Sequence, residues 1–466
     1  MQAEQIIGLQ AQVAGLQAQV VELLARLAKN SKNSSKPPSS DLAGTRPAKS
    51  KRKRGKRGGR AGHKAHFAAE PTQVDHVHEY RPETCGHCAA DLTDVGTPTG
   101  SVVNHYVYVL PEIRPEVHDH QCLDVQCASC GLVTRTSLPP GVPTGAYDPS
   151  VQAMTALLRG ELRQSMRQTS VVMTQVLHVP MSPAMVAKTQ DLVSQVLAAP
   201  YDEAVQFAHG YDRPHADETG WREDKKKAWL WASVCGLVTV FMVHASRGAI
   251  VAKALIGDSF RGVLVTDRWA SYGWVKPALR QLCWSHLKRD FKSFLDYGDE
   301  ARRVGEQLLR EVRRMFRAWH KVRDGTLTRS EFKLAMGPVR RRVLALLDEG
   351  HRLPSRKVSG MCKHILKLQA ALFTFIDVER VEPTNNTAER ALRFAVLWRK
   401  GCFGNDSARG SRFVERFLTA RATIRAQKRD LYAYLTEACT AALHGRPTPS
   451  FLPATDQTDC DLAVAA

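Results

Sequence analysis

Three carboxylates stand where the surrounding sequence would fix their positions. Asp217 lies in HADETGW, Asp267 closes the apolar run GVLVTD, and Glu389 sits in EPTNNTAERALR at the start of a helical pattern (Ala388, Ala391, Leu392, Ala395, Val396). Strand alternation puts His215, Asp217 and Thr219 on one face with Glu218 on the other, and puts Asp267 on the face of Val263 and Val265. A one-residue slip would exchange Asp217 for Glu218. An ionised carboxylate leaving a sheet on its buried side is costly unless a cation meets it. A divalent metal would do so, and a salt bridge from Arg268 is the other way. Glu389 also has a second reading, because Asn386-Thr-Ala-Glu389 forms a capping box with Asn386 as N-cap. Arg393, four residues on, shares its helix face and could orient Glu389 or hold a phosphate. Oxygen ligands of this kind suit Mg²⁺ or Mn²⁺, and a pair of such ions serves in-line phosphodiester displacement.

A second set of residues has the chemistry of a soft metal. Cys85-Gly-His-Cys88 and Cys127-Ala-Ser-Cys130 are two CxxC pairs, and four thiolates match tetrahedral, structural Zn²⁺ with no open position for catalysis. His87 and Cys122 leave a variant ligand set open. The alternating run between the pairs predicts the strands of a zinc ribbon. CWSHLKRDF carries Cys283-x-x-His286, too few ligands for a metal of its own. His286 is either near the reacting phosphate or a core histidine, and Lys288 and Arg289 are candidate phosphate contacts.

Cations are the third signal. The net charge is +20, and residues 46–64 hold ten Lys or Arg and no acid. Lys51, Arg52, Lys53, Arg54, Lys56, Arg57 and Arg60 would bind phosphates by counterion release without base preference; a solvated tail is the plainer reading. Arg399 and Lys400 stand beside a Gly-rich loop and could meet a strand entering the site. No stretch of about 18 apolar residues is present and the N-terminus lacks a signal-peptide layout, so a soluble, cytoplasmic protein without a membrane partner is expected.

These motifs need several elements to position them, and 466 residues are too many for one core. Ile6, Leu9, Val13, Leu16, Val20, Leu23 and Leu27 repeat at steps of three and four, which predicts a short coiled coil or one amphipathic helix packed on its own protein. Residues 151–199 read as helical. Ser182 followed by Pro183 starts the second half of either a helix-turn-helix or an ordinary helical hairpin. From about Tyr211, three short apolar runs, a helix and a fourth run ending in Asp267 open a ribonuclease H-like fold. Between Asp267 and Glu389 lie 121 residues, and the strongly helical, basic stretch 300–375 predicts an insertion.

The order of these features resembles that of IS66 insertion-sequence transposases: a zipper-like helix, NSKNSSKPPSSD, a basic Gly-rich run, CxxC pairs, DET, TD-x-x-x-SY, CWSHLKRDF and NN-x-AER. The resemblance implies a DDE triad at Asp217, Asp267 and Glu389, with hydrolysis at the element's ends followed by strand transfer. It also implies DNA as partner, self-association, and accessory proteins of the same element. The expected fold is multidomain α+β: coiled coil 1–30, basic arm 31–78, zinc-binding domain 79–138, helical segment 139–203, ribonuclease H-like α/β core 204–297 and 381–440 with helical insertion 298–380, and disordered tail 441–466. A transposase-derived DNA-binding protein without catalysis, and a nuclease without strand transfer, are the rival functions.

Overall fold

The computed structural model describes residues 2–27, 70–93, 100 and 102–453. The basic run from Lys51 to Arg60 and the last thirteen residues lie outside them. The chain divides into two compact units, residues 43–114 and the remainder. In the smaller unit, a bridge between Thr84 and Asp91 closes the turn that holds Cys85 and Cys88.

The larger unit begins with α1 (Gln2–Leu27), whose heptad residues Ile6, Leu9, Val13, Leu16, Val20 and Leu23 are all exposed. A two-residue hairpin, β1 (Val125–Gln126) and β2 (Val133–Thr134), carries the second CxxC pair. Of the strands expected between the pairs, β1 forms at the end of the run, next to Cys127. Val103, Tyr108, Val109 and Leu110 stay exposed, and no described strand pairs with them, so alternation alone did not make a sheet there.

Four further helices precede the main sheet. They are α2 (Pro149–Gly160), capped by Asp148; α3 (Met166–Val171), which runs into a π-helical turn; α4 (Pro183–Val196); and α5 (Ala198–Gly210). Ser182 caps α4 through the Met185 N–H at 3.3 Å, with Pro183 as first helical residue, where its missing N–H costs nothing. Val186, Val193 and Ser194 bury α4 against its neighbours, and its exposed face carries a single cation, Lys188.

The sheet comprises β3 (His215–Glu223), β4 (Lys226–Cys235) and β5 (Val238–His244), then, beyond α6 (Ala249–Ile256), β6 (Leu264–Thr266) and β7 (Arg280–Leu282). Its order is β5-β4-β3-β6-β7; β3, β4 and β5 are antiparallel neighbours, and β6 and β7 run parallel to β3. Asp224 and Lys225 both take positive φ (49° and 59°), which matches a tight two-residue turn to the right-handed twist of β3 and β4.

Eight helices follow: α7 (Trp284–Ser293), α8 (Asp299–Arg323), α9 (Arg329–Arg352), α10 (Arg356–Lys367), α11 (Thr374–Asp377), α12 (Asn386–Cys402), α13 (Ala408–Ala426) and α14 (Leu431–Leu443). α8 to α10 stand where an insertion was expected. Val304, Leu308, Val312, Met315 and Trp319 form one buried face of α8 and share a core with Val263 and Val265 of the sheet side. A second core joins β3, β4 and β5 to α5, α6, α12, α13 and α14.

Helix α13 also covers the exposed edge of the sheet. Glu415, Thr419 and Thr423, spaced one turn apart, accept the backbone N–H groups of Val243, Phe241 and Thr239. Those N–H groups would otherwise offer a template for another strand. The tail departs from the disorder expected of it as far as it is described: Phe451 is fully buried against Tyr434, and its carbonyl accepts from Gln427 at 2.7 Å. Among the described residues, no helix is long and apolar enough to cross a membrane.

Candidate acid site

The parallel register of β3 and β6 pairs His215 with Val265. Two residues further along each strand stand Asp217 and Asp267, so the same register carries both carboxylates to the same level at the C-terminal end of β6. Each is held by local backbone: Asp217 accepts the Glu218 N–H at 3.0 Å, and Asp267 the Trp269 N–H at 2.8 Å. Arg280, fully buried, donates to Thr266 Oγ1 and to the Asp267 carbonyl, both at 3.0 Å, which fixes the strand end from which Asp267 leaves.

Glu389 arrives from α12, and one residue sets that helix in place. Asn385, fully buried, donates through Nδ2 to the Ala216 carbonyl at 2.8 Å and faces His215 Nδ1 at 3.3 Å. Its backbone N–H points to Cys283 Sγ at 3.1 Å, while the Pro383 carbonyl accepts from Trp284 at 2.9 Å. The start of α12 is thereby tied both to β3, beside Asp217, and to the start of α7. Further along, Arg399 donates to the Gly220 carbonyl and to Thr219 Oγ1, so α12 is pinned to β3 at two points.

The electrostatics follow from this crowding. Burial, then the charges of Glu218 and Asp267, push the Asp217 carboxyl well above the usual range. Burial also raises Glu389; Arg289 opposes the rise and Asp267 adds to it. His286 is pulled down to about 4, first by burial and then by Arg289. Glu389 Oε1 and His286 Nδ1 lie 3.5 Å apart, both shielded from solvent and without a hydrogen-bond partner, and the nearest guanidinium nitrogen, of Arg289, is 3.9 Å from Oε1. Carboxylates brought together with so little positive charge between them fit hard divalent cations, whose binding would remove the repulsion.

Several sequence readings change here. Asn385, not Asn386, is the N-cap residue, and no side chain caps the helix. Glu389 is therefore one position too late for the capping box, and its carboxylate is free of that duty. Asn386 begins the helix and accepts from Ser285 Oγ at 3.1 Å. Arg268 pairs with Asp290 and with His364 instead of Asp267, which disposes of the salt-bridge alternative. Glu218 turns away from Asp217, bonded to Arg247 and to the Tyr272 hydroxyl. Arg393 is exposed, and the cation beside Glu389 is Arg289 of α7. Of the candidate phosphate contacts, Arg289 faces Glu389, Lys288 and Lys400 are exposed, and Arg399 is occupied by the β3 backbone in the last turns of α12, not in a loop. Asn385, Arg280 and Tyr272 were missed; only the doubled asparagine before a helical pattern signalled the first.

The two CxxC turns share one backbone form. Cys85 N–H bonds to the Ala90 carbonyl (2.8 Å) and Ala89 N–H to that of Cys85 (2.9 Å), with Ala89 at φ 58°. Cys127 and Leu132, then Gly131 and Cys127, repeat these bonds at 2.8 and 2.9 Å, with Gly131 at φ 69°. Backbone N–H groups of Cys88 and His87 lower the Cys85 thiol, and those of Cys130 and Ser129 lower Cys127. All four, and Cys122, are free thiols.

The family model described as the Transposase IS66 family matches residues 145–412, a span that holds all three acids. A family of unknown function (DUF6444) matches residues 1–69. Among curated proteins, none matches the chain.

Proposed function

Because the chain belongs to the IS66 transposase family, we propose that it cuts DNA at the ends of an insertion sequence and joins those ends to target DNA at a DDE site made of Asp217, Asp267 and Glu389. What supports this reading is that the carboxylates from β3, the end of β6 and α12 lie near enough for Asp267 and Glu389 to raise Asp217 and for Asp267 to raise Glu389. A central β3 flanked by antiparallel β4 and parallel β6 supports a ribonuclease H-like core.

Mg²⁺ or Mn²⁺ held by Asp217, Asp267 and Glu389 would supply the positive charge that activates an attacking oxygen and stabilises a leaving one. The residues of the chain do the rest. Asn385 and Arg399 hold α12 on β3, so that Glu389 meets the strand-borne acids without a reorganisation cost at each turnover. Arg289, beside Glu389, and Lys288, exposed one residue earlier, are placed to meet backbone phosphates. Water serves as nucleophile in cleavage, and a DNA 3′-hydroxyl in joining.

Around this core, each CxxC turn offers two thiolates for structural Zn²⁺: Cys85 with Cys88, and Cys127 with Cys130. The exposed heptad face of α1 would pair chains, and the basic run from Lys51 to Arg60 would hold DNA without base preference. The decisive experiment supplies Mg²⁺ or Mn²⁺ and a labelled DNA carrying the element's end, with and without accessory proteins, to wild type and Asp267→Asn. Cleavage and joining by wild type alone is the expected result. Cleavage without joining would make the protein a nuclease, and equal binding with no cleavage by either would make it a DNA-binding derivative.

A further inference from the structure

Glu389 lies beside a second set of ligand atoms. Sγ of Cys283, a ring nitrogen of His286 and a carboxylate oxygen of Glu389 all fall within 4.8 Å of one another, the only such group of three among the described residues. Cys283 and His286 stand one turn apart at the start of α7, and Glu389 is brought to them because Asn385 ties α12 to Cys283. Two of the three atoms have no present use: Glu389 Oε1 and His286 Nδ1 face each other at 3.5 Å with neither solvent nor a hydrogen bond. A carboxylate oxygen accepts, and so does a ring nitrogen that carries no proton, so either a proton or a metal ion belongs between them.

We propose that Cys283, His286 and Glu389 form a binding site for a thiophilic divalent cation such as Zn²⁺, which shares Glu389 with the acid site. Thiolate, imidazole and carboxylate are the donor types zinc accepts, and three protein ligands leave a fourth position for water. Zinc bonds of about 2.0 to 2.3 Å need the ligand atoms closer together than they stand, by roughly 1 Å, within the reach of side-chain rotation. On binding, the Cys283 thiol proton passes to solvent and the sulfur bonds the metal as thiolate. Mg²⁺ takes oxygen ligands and would leave sulfur and imidazole alone. The two classes of cation therefore compete for one carboxylate. The consequence, that Zn²⁺ turns the enzyme down by drawing Glu389 away from Asp217 and Asp267, rests on the function proposed above; the binding site itself does not.

The test adds Co²⁺, without DNA, to full-length protein whose CxxC cysteines already hold Zn²⁺, and records thiolate-to-cobalt absorption. Wild type should show a signal that Cys283→Ser lacks, and His286→Asn should weaken Co²⁺ binding by at least about tenfold. Serine keeps an acceptor for the Asn385 N–H, and the histidine variant supplies the answer if Cys283→Ser does not fold. Asp217→Asn should keep the signal. Identical spectra and stoichiometry in wild type and both ligand variants would overturn the site and leave a shared proton between Glu389 and His286. Loss of the signal in Asp217→Asn would also overturn it, by placing the ion among the acids. Cleavage of DNA by Asp217→Asn, with the cobalt signal intact, would instead sink the DDE reading alone. In the cleavage assay, Zn²⁺ should inhibit wild type at a concentration at least about tenfold lower than it inhibits Cys283→Ser.

Discussion

The two faces of β3 treat adjacent carboxylates in opposite ways. On one face Glu218 is buried and answered: Arg247 bonds it at 2.7 Å, the Tyr272 hydroxyl at 2.7 Å, and the guanidinium lies 4.4 and 3.7 Å from the ring centres of Trp229 and Trp269. On the other face Asp217 has one backbone N–H, the carboxylates of Asp267 and Glu389 contributing to its electrostatics, and no bonded cation. A buried charge persists only when paired. The first face is complete as a piece of structure, and the second leaves its carboxylate without a bonded cation. The faces are also linked, since Trp269 stacks on Arg247 and gives Asp267 its backbone N–H.

If this contrast is right, the same type of change on the two faces must break different things. Asp217→Asn should lower metal-dependent cleavage at least about a thousandfold, on the order of 4 kcal/mol in the barrier, while the protein folds and binds the DNA end as before. Glu218→Gln should do the reverse. It leaves Arg247 without its carboxylate and should cost about 2–3 kcal/mol of stability, read from a urea midpoint, while the folded fraction still cleaves. Loss of cleavage by Glu218→Gln at unchanged stability would exchange the roles of the two faces.

Local pattern in the sequence reached the strand that carries Asp217, the helix that carries Glu389, the Ser182 cap and the helical character of residues 299–367, because period-two and helical spacing are local properties of a chain. It did not reach what depends on partners distant in sequence. The strand alternation between the CxxC pairs was legible, but among the described residues only Val125 and Gln126, at its end, find a partner strand. The capping box at Asn386 was plausible by spacing, yet the N-cap of α12 is Asn385, whose side chain is buried against the Ala216 carbonyl, 169 residues away in sequence. The two asparagines thus look alike in sequence and differ in weight. Asn385→Ala should cost about 2 kcal/mol, since it strands a buried acceptor, and lower cleavage by loosening Glu389. Asn386→Ala, at an exposed position, should stay within about 0.5 kcal/mol. Equal costs would show that the junction of α12 with β3 does not rest on Asn385.

The smallest effect is the most specific to the unanswered face. A carboxyl raised in the folded protein holds its proton at a pH where the unfolded chain has lost it, so stability is greatest below the unfolded value and falls as pH rises through the folded one. For Asp217, raised by burial and by the neighbouring carboxylates, that window opens near pH 4 and extends upward. Metal-free wild type should lose stability across it with a slope of up to about 1.4 kcal/mol per pH unit relative to Asp217→Asn. Glu415, pushed up to about 7 by burial, adds its own fall in both proteins and cancels in the difference. Saturating Mg²⁺ should flatten the wild-type difference, because the ion binds the deprotonated carboxylate and rewards the state that raised pH favours. Urea midpoints from pH 4 to 8 give the comparison. A difference that persists in Mg²⁺ would mean that no divalent cation answers the charge on this face.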